Sequence, residues 1–293
     1  MIPGASCPRQ DPAFDFPFQS ASIPSACHPM KLRPRLNALL LASLALFTAV
    51  AARAAEPAGK YTFVIVHGAT AGGYEWKETG KYLQANGHTV YRVTLTALGE
   101  RSHLSAEGVN LTTHINDVVN TILFEDLHDV VLTGHSYGGM VITGVMNRIP
   151  DRIRHVMFFD AAVPNDGETG FSRRGGRPAD LVVKNGRSIP SWLNENPTKC
   201  PHNVGHPIGT SEEPVAYNNP AALKLNVTYV PFIAKGQDPA ERAAKDQNWK
   251  NAVARGWTVR TFPGSHTAKL ENPQGLAALM EQAVNDTNSP VAK

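Results

Sequence analysis

The chain has 293 residues, of which 42% are hydrophobic and 18% are charged, a composition typical of globular domains. Its formal charge of +3 arises in residues 1–54, which carry five basic and two acidic side chains, so the remainder holds 23 of each sign. Because the rest of the chain has no excess positive charge, nucleic acid or an anionic membrane surface is not expected as a partner.

A basic and then apolar segment lies near the N-terminus. Residues 30–35 form a short positive stretch, residues 36–50 are almost wholly apolar, and Ala52-Arg53-Ala54 supplies small residues for cleavage. This order predicts a signal peptide over residues 30–54. An uncleaved membrane anchor is the alternative, which the short apolar run disfavours. Residues 1–29 are then an untranslated or disordered extension, and residues 55–293 form the mature domain.

The cysteines are placed unevenly. Cys7 and Cys27 precede the predicted leader, so the mature domain would keep Cys200 alone and have no internal disulfide. Export without disulfides indicates a periplasmic or secreted bacterial protein that has no membrane contact once the leader is removed.

From residue 61 onward, strand patterns alternate with helical patterns. Strands are predicted at residues 61–66, 89–93, 130–133, 156–160, 229–234 and 257–262, and helices at residues 76–86, 111–124, 139–146 and 273–284. Strands joined by helix-length connections form a parallel sheet with both faces covered. The sequence therefore predicts an α/β fold around a mainly parallel, twisted sheet with helices on both faces.

Residues 166–226 interrupt this alternation. They are rich in Gly, Pro and Asn and show only weak helical stretches, at residues 178–184 and 191–194. An interruption of this length is uncommon in a compact domain unless it serves function. We interpret it as a small cap over the active-site pocket; a disordered surface insert is the alternative.

The pentapeptide Gly134-His135-Ser136-Tyr137-Gly138 lies between a predicted strand and a predicted helix. A serine at such a junction is typical of a nucleophile elbow, where the flanking glycines leave room for a tight turn. A purely structural glycine-rich turn is the alternative, which this strand-to-helix context disfavours. Ser136 is therefore the predicted nucleophile.

A serine hydroxyl needs a base within hydrogen-bond reach and an anion that orients the base. His266 follows the last predicted strand and is the predicted base. Asp238, in the turn after the preceding strand, is the predicted acid, although Asp before Pro is also a plain turn signal. Asp160, at the end of the strand after the elbow helix, is the alternative acid.

Oxyanion stabilisation requires backbone donors near the nucleophile. The backbone N–H of Tyr137, directly after Ser136, is one candidate. The second is the N–H of Ala69, in the glycine-rich stretch 67–73 that follows the first strand. This stretch lacks the Lys-Ser ending of a P-loop and a full dinucleotide fingerprint, which disfavours a phosphate cradle.

Four motifs, at residues 67–69, 95–101, 134–139 and 160–164, together resemble the α/β-hydrolase superfamily. Within it they are similar to bacterial carboxylesterases related to plant methylesterases and hydroxynitrile lyases. The similarity covers residues 61–284. It implies the α/β-hydrolase fold with an eight-stranded type of sheet, a small cap, and no cofactor or metal. It also supports Ser136, Asp238 and His266 as the triad.

Departures from related families narrow the predicted reaction. Hydroxynitrile lyases in this branch have threonine where this chain has Gly68 and lysine where it has Thr267. Dehalogenases and epoxide hydrolases have aspartate in place of Ser136. We therefore expect a serine carboxylesterase acting on small to medium ester molecules through an acyl-enzyme. The alternatives are a thioesterase or amidase with the same triad, a lyase-like enzyme, and a non-catalytic ligand-binding homologue.

The candidate lining residues of the substrate pocket are Gly68, Leu98, Phe159 and Trp192. The apolar members are equally well explained by packing in the core or in the cap.

Overall fold

The computed structural model describes residues 59–288. The predicted leader and the extension before it lie outside these residues. The central sheet has six strands: β1 (Thr62–Val66), β2 (Thr89–Val93), β3 (Val130–His135), β4 (Ile153–Phe159), β8 (Val227–Val230) and β10 (Thr258–Val259). Their order in the sheet is β10-β8-β4-β3-β1-β2, and every neighbouring pair is parallel. The predicted α/β-hydrolase fold is confirmed.

Alternation along the strands builds two hydrophobic cores, one on each face of the sheet. In β1, Val64 and Val66 belong to one core, whereas Phe63 and Ile65 belong to the other. Successive side chains of a strand point to opposite faces, so a strand buried on both faces is apolar at every position. This explains why the inner strands appear in the sequence as continuous apolar runs.

Helices cover both faces. They are α1 (Lys77–Ala85), α2 (Leu111–Phe124), α3 (Gly138–Arg148), α5 (Pro239–Lys245), α6 (Gln247–Ala254), α7 (Ala268–Glu271) and α8 (Pro273–Asn288), together with the short α4 (Gly209–Glu212) between β4 and β8. Helix α1 packs against α8, and α2 packs against α3. No helix within residues 59–288 is both long enough and apolar enough to cross a membrane.

Two predicted strands are each divided. The predicted strand 229–234 becomes the end of β8 and then β9 (Phe232–Ile233), and the strand 257–262 becomes β10 and the start of β11 (Phe262–Pro263). Pro231 lies at the first break and has no N–H for a ladder hydrogen bond. Strands β9 and β11 pair with each other, so the described sheet has six strands plus this two-stranded extension.

The insertion at residues 166–226 contains a three-stranded antiparallel sheet, β5 (Val183–Lys184), β6 (Arg187–Ser188) and β7 (His206–Pro207). The weak helices predicted at residues 178–184 and 191–194 are wrong. Asn185 and Gly186 both have positive φ, 48° and 72°, and form the two-residue turn that makes β5 and β6 a hairpin.

Candidate active site

The elbow joins β3 to α3, and Ser136 lies at its tip with a φ of 55°. Two neighbouring glycines are required by close approach. A Cβ on Gly134 would lie 2.8 Å from Ile142 Cδ1, and a Cβ on Gly138 would lie 2.8 Å from His67 O. The strand and the helix can therefore meet closely enough to force the left-handed turn that presents the serine.

The backbone of Ser136 is tied to the end of β4. Its N–H donates to Phe159 O at 3.3 Å, and its carbonyl accepts from Ala162 N–H at 2.9 Å and from Gly139 N–H at 3.1 Å. The strained conformation is thus held from both sides. Ser136 Oγ has no hydrogen-bond partner within residues 59–288, which leaves it available to a base and to a substrate.

His266 lies in the loop after β11 and is held by two neighbouring groups. His135, directly before the nucleophile, donates from Nε2 to His266 O at 3.0 Å. Glu271 of α7 accepts from the side chains of Ser265 and Thr267 on either side of His266. The Nε2 atom of His266 has no partner in the described part of the chain. Catalytic hydrogen bonds often form only when a substrate is bound.

The acid beside His266 is Asp160. His266 Nδ1 donates to Asp160 Oδ2 at 2.6 Å, and Asp160 follows β4 with a φ of 43°. The other carboxylate oxygen accepts from the Arg242 guanidinium and from Phe232 N–H. Burial disfavours the charged carboxylate, but the His266 hydrogen bond and the Arg242 charge hold the pKa of Asp160 below its ordinary value.

The prediction that Asp238 orients the base is therefore wrong. Asp238 is the N-cap of α5, where its side chain accepts from Ala240 N–H at 2.9 Å and Pro239 occupies the first helical turn. This is the plain structural meaning of an Asp-Pro pair. Asp238 is linked to the site only indirectly, because the helix that it begins carries Arg242, whose guanidinium donates to Asp160.

The predicted oxyanion donors, Ala69 and Tyr137, line the same cavity as Ser136. Within residues 59–288, neither the Ala69 N–H nor the Tyr137 N–H donates a hydrogen bond to the protein, so both are available. His67 holds the loop in place, since its Nδ1 donates to Gly68 O at 2.7 Å and its Nε2 accepts from Leu95 N–H at 3.1 Å. Burial lowers the pKa of His67 to about 4, so the ring is neutral at pH 7.

A cavity of about 310 Å³ opens at Ser136. Its lining also includes Ala69, Tyr137, Met140, Asp160, Ala161, Ala162, Gly170, Arg173, Arg174 and Asn248. Three of these, Gly170, Arg173 and Arg174, come from the insertion, so this segment forms part of the cavity wall. A larger cavity of about 500 Å³, lined by Asp160 and charged residues of α5, does not include Ser136.

None of the four predicted pocket residues lines the Ser136 cavity. Leu98 and Phe159 are fully buried in the two hydrophobic cores, and the Trp192 residue is 64% exposed on the insertion. Gly68 adjoins the nucleophile without forming the wall. A Cβ on Gly68 would lie 3.1 Å from Ser136 Cβ, so a larger side chain here would crowd the serine.

Buried neutral histidines make stability depend on pH. Burial is the main cause that lowers the pKa values of His67, His114 and His155 to about 4. In the unfolded chain each titrates near pH 6.5, so the unfolded state binds more protons between pH 6.5 and 4. The contribution of these histidines to the free energy of unfolding is fully present above pH 6.5. It decreases as the pH drops, by roughly 3 kcal/mol for each histidine at pH 4.

We therefore expect the free energy of unfolding, measured by urea denaturation, to decrease steadily from pH 7 to pH 5. Carboxylates contribute little in this window because their ordinary pKa values lie lower. His155→Gln removes one of these buried histidines and should reduce the slope. A stability that stays constant between pH 7 and pH 5 would contradict the buried neutral state.

Comparisons with known proteins agree with this architecture. Residues 63–279 match the model of an alpha/beta hydrolase family. A carbendazim hydrolyzing esterase from Nocardioides is 51% identical over 247 residues, covering 73% of this chain and 96% of the relative. Methylesterase 4 of Arabidopsis thaliana is 29% identical over 272 residues, covering 77% and 97%.

Solved structures share the fold. An extracellular α/β-hydrolase from a Paenibacillus species has a TM-score of 0.57 at 23% identity, covering 76% of this chain and 99% of that chain. A pyrethroid hydrolase has a TM-score of 0.63 at 17% identity, covering 78% and 99%. The chain belongs to the α/β-hydrolase family, in a branch whose relatives are named as esterases.

Proposed function

We propose that the protein is a serine carboxylesterase that hydrolyses small to medium carboxylic esters through an acyl-enzyme intermediate. One observation carries the proposal. Ser136, held at positive φ, opens into a cavity beside two free backbone donors, and the nearby Asp160 accepts the Nδ1 proton of His266. Nucleophile, base, orienting acid and oxyanion donors are the four parts that acyl transfer requires.

Acylation begins when an ester carbonyl lies against Ser136. His266 Nε2 takes the hydroxyl proton as Oγ forms a bond to the carbonyl carbon. Asp160 holds the imidazole in the tautomer that leaves Nε2 able to accept, and stabilises the imidazolium. The Ala69 and Tyr137 N–H groups bind the oxyanion, each worth roughly 3 kcal/mol of transition-state stabilisation. The alcohol then leaves with the proton from His266.

Deacylation repeats these steps with water. His266 Nε2 removes a proton from a water molecule, which attacks the acyl carbon, and Ser136 Oγ leaves with that proton. The His266 side chain is 56% exposed, so water can reach the base.

The size of the cavity supports a small substrate. A volume of about 310 Å³ lies near the lower limit of the range that small-molecule pockets occupy. The names of the relatives also support ester cleavage, since one is an esterase that hydrolyses carbendazim and another is a methylesterase.

A fluorophosphonate probe tests the nucleophile directly. The native protein is expected to gain one adduct, which peptide mapping places on Ser136, while heat-denatured protein gains none. The exposed Ser265 serves as an internal control that stays unlabelled. Absence of an adduct, or an adduct on another serine, would refute the proposal.

A substrate panel tests the reaction class. We expect p-nitrophenyl esters of short acyl chains to be hydrolysed faster than the matched thioester and anilide. Methyl esters, aryl esters and carbendazim complete the panel. A higher kcat/KM for the thioester or the anilide would replace the carboxylesterase assignment with thioesterase or amidase.

A further inference from the structure

The loop that carries Ala69 is held by the insertion. The next residue, Thr70, has a φ of 64°, a conformation that a β-branched residue rarely adopts. Both of its backbone groups bond to the insertion: Thr70 N–H donates to His206 Nδ1 at 3.3 Å, and Thr70 O accepts from Val204 N–H at 2.8 Å. These contacts fix the backbone immediately after the first oxyanion donor.

His206 also touches the residue that supplies the second donor. Its ring meets the Tyr137 ring edge-to-face, with centroids 4.5 Å apart. The Tyr137 hydroxyl donates to His114 Nδ1 at 2.9 Å, since His114 Nε2 donates to Thr96 O. One buried side chain of the insertion therefore contacts both the residue that follows the first proposed donor and the residue that supplies the second.

The protonation state of His206 follows from its partners. An Nδ1 that accepts from Thr70 N–H carries no proton, so the neutral ring has its proton on Nε2. Burial and the nearby cationic groups, including Arg174 and Arg187, lower the pKa of His206 well below its ordinary value. Within residues 59–288, Nε2 is buried and has no hydrogen-bond partner. An unpartnered buried N–H costs stability, which leucine at this position would avoid.

The strand that carries His206 is itself anchored to the core. Arg187 of β6, the neighbouring strand, donates to the carbonyls of Ala97, Ser102 and Leu104, which belong to the loop after β2. It also donates to Gly205 O, directly before His206, at 2.9 Å. The position of His206 therefore depends on how the whole insertion sits on the hydrolase core.

We propose that His206 is a positioning residue for the oxyanion hole, through which seating of the insertion controls the rate of ester cleavage. The inference rests on the proposed function. Loss of His206 would leave the nucleophile and base in place but allow the Ala69 and Tyr137 donors to shift. Such a shift weakens binding of the transition state more than binding of the ester itself.

Two substitutions distinguish the hydrogen-bond acceptor of His206 from the volume of its side chain. In His206→Asn the side-chain oxygen can accept from Thr70 N–H, whereas His206→Leu keeps the volume but removes the acceptor. His202→Leu, at a partly exposed histidine of the same insertion, is the matched control. The concentration of reactive sites is measured by fluorophosphonate titration of a separate sample, so that each kcat is expressed per reactive site.

For His206→Leu we expect kcat to fall roughly 10- to 100-fold with little change in KM. Affinity for a trifluoromethyl ketone analogue should fall by the same factor as kcat/KM. His206→Asn should recover most of the loss, and His202→Leu should match the native enzyme. Equal losses in the Asn and Leu variants, or an unchanged kcat for each titrated site in His206→Leu, would overturn the inference. Failure of the native protein to label would instead refute the proposed function.

Discussion

Replacing Asp160 with asparagine is expected to lower kcat for ester hydrolysis about 10,000-fold, with KM little changed. The carboxylate accepts the Nδ1 proton of His266 at 2.6 Å. An asparagine amide that turns its oxygen toward Arg242 presents its NH₂ group to His266, which favours the tautomer whose Nε2 carries the proton. That tautomer cannot accept the proton of Ser136.

Asp238→Asn is the matched control, because it makes the same chemical change at the other candidate acid. Asparagine caps a helix as well as aspartate does, so α5 and its Arg242 should stay in place. We expect this variant to keep kcat within a few-fold of the native value. Steady-state kinetics on p-nitrophenyl acetate measure both variants, and circular dichroism checks their folding. A large loss in Asp238→Asn with activity retained in Asp160→Asn would reverse the assignment.

The choice between these two acids could not be made from the sequence alone, because it depends on a contact between distant residues. The contact between Asp160 and His266 joins residues 106 positions apart. The sequence places Asp160 at the end of a predicted strand, which makes it the alternative acid, but no local pattern reveals the left-handed backbone there. Helix α5 was missed because none of its residues is buried, so it has no hydrophobic periodicity that would mark it.

The elbow around Ser136 was easier to predict because its signals are local. A strand, two glycines, a serine and a helix occupy successive positions, and the structure places Ser136 at the turn between β3 and α3. The loop that carries Ala69, a proposed oxyanion donor, likewise follows β1 directly. Such short-range features depend on steric rules that operate over a few residues.

The cap and the pocket lacked such signals, with one exception. The pair Asn185-Gly186 is typical of a two-residue hairpin turn and would have indicated β5 and β6. The predicted pocket residues are mostly apolar, a character that core packing demands equally. Leu98 and Phe159 are fully buried for that reason. Arg242 and His206 act through partners distant in sequence, and no motif marks them.

Replacing Ser136 is expected to have the largest effect on activity of any single change. Ser136→Ala should lower kcat about a million-fold, since loss of a triad serine costs as much as loss of the whole triad. Residual hydrolysis would come from the oxyanion donors and from substrate binding. Turnover of p-nitrophenyl acetate close to the native rate in the purified variant would remove Ser136 as nucleophile.

The backbone at Ser136 adds a second expectation, on stability. A φ of 55° costs a residue with a side chain about 1 kcal/mol relative to glycine. Ser136→Ala keeps this strain, whereas Ser136→Gly relieves it at some cost in chain entropy. Both variants should be inactive, with a higher Tm for the glycine variant in scanning calorimetry. A glycine variant that melts below the alanine variant would show that the strain relieved at this position is smaller than the entropy cost of glycine.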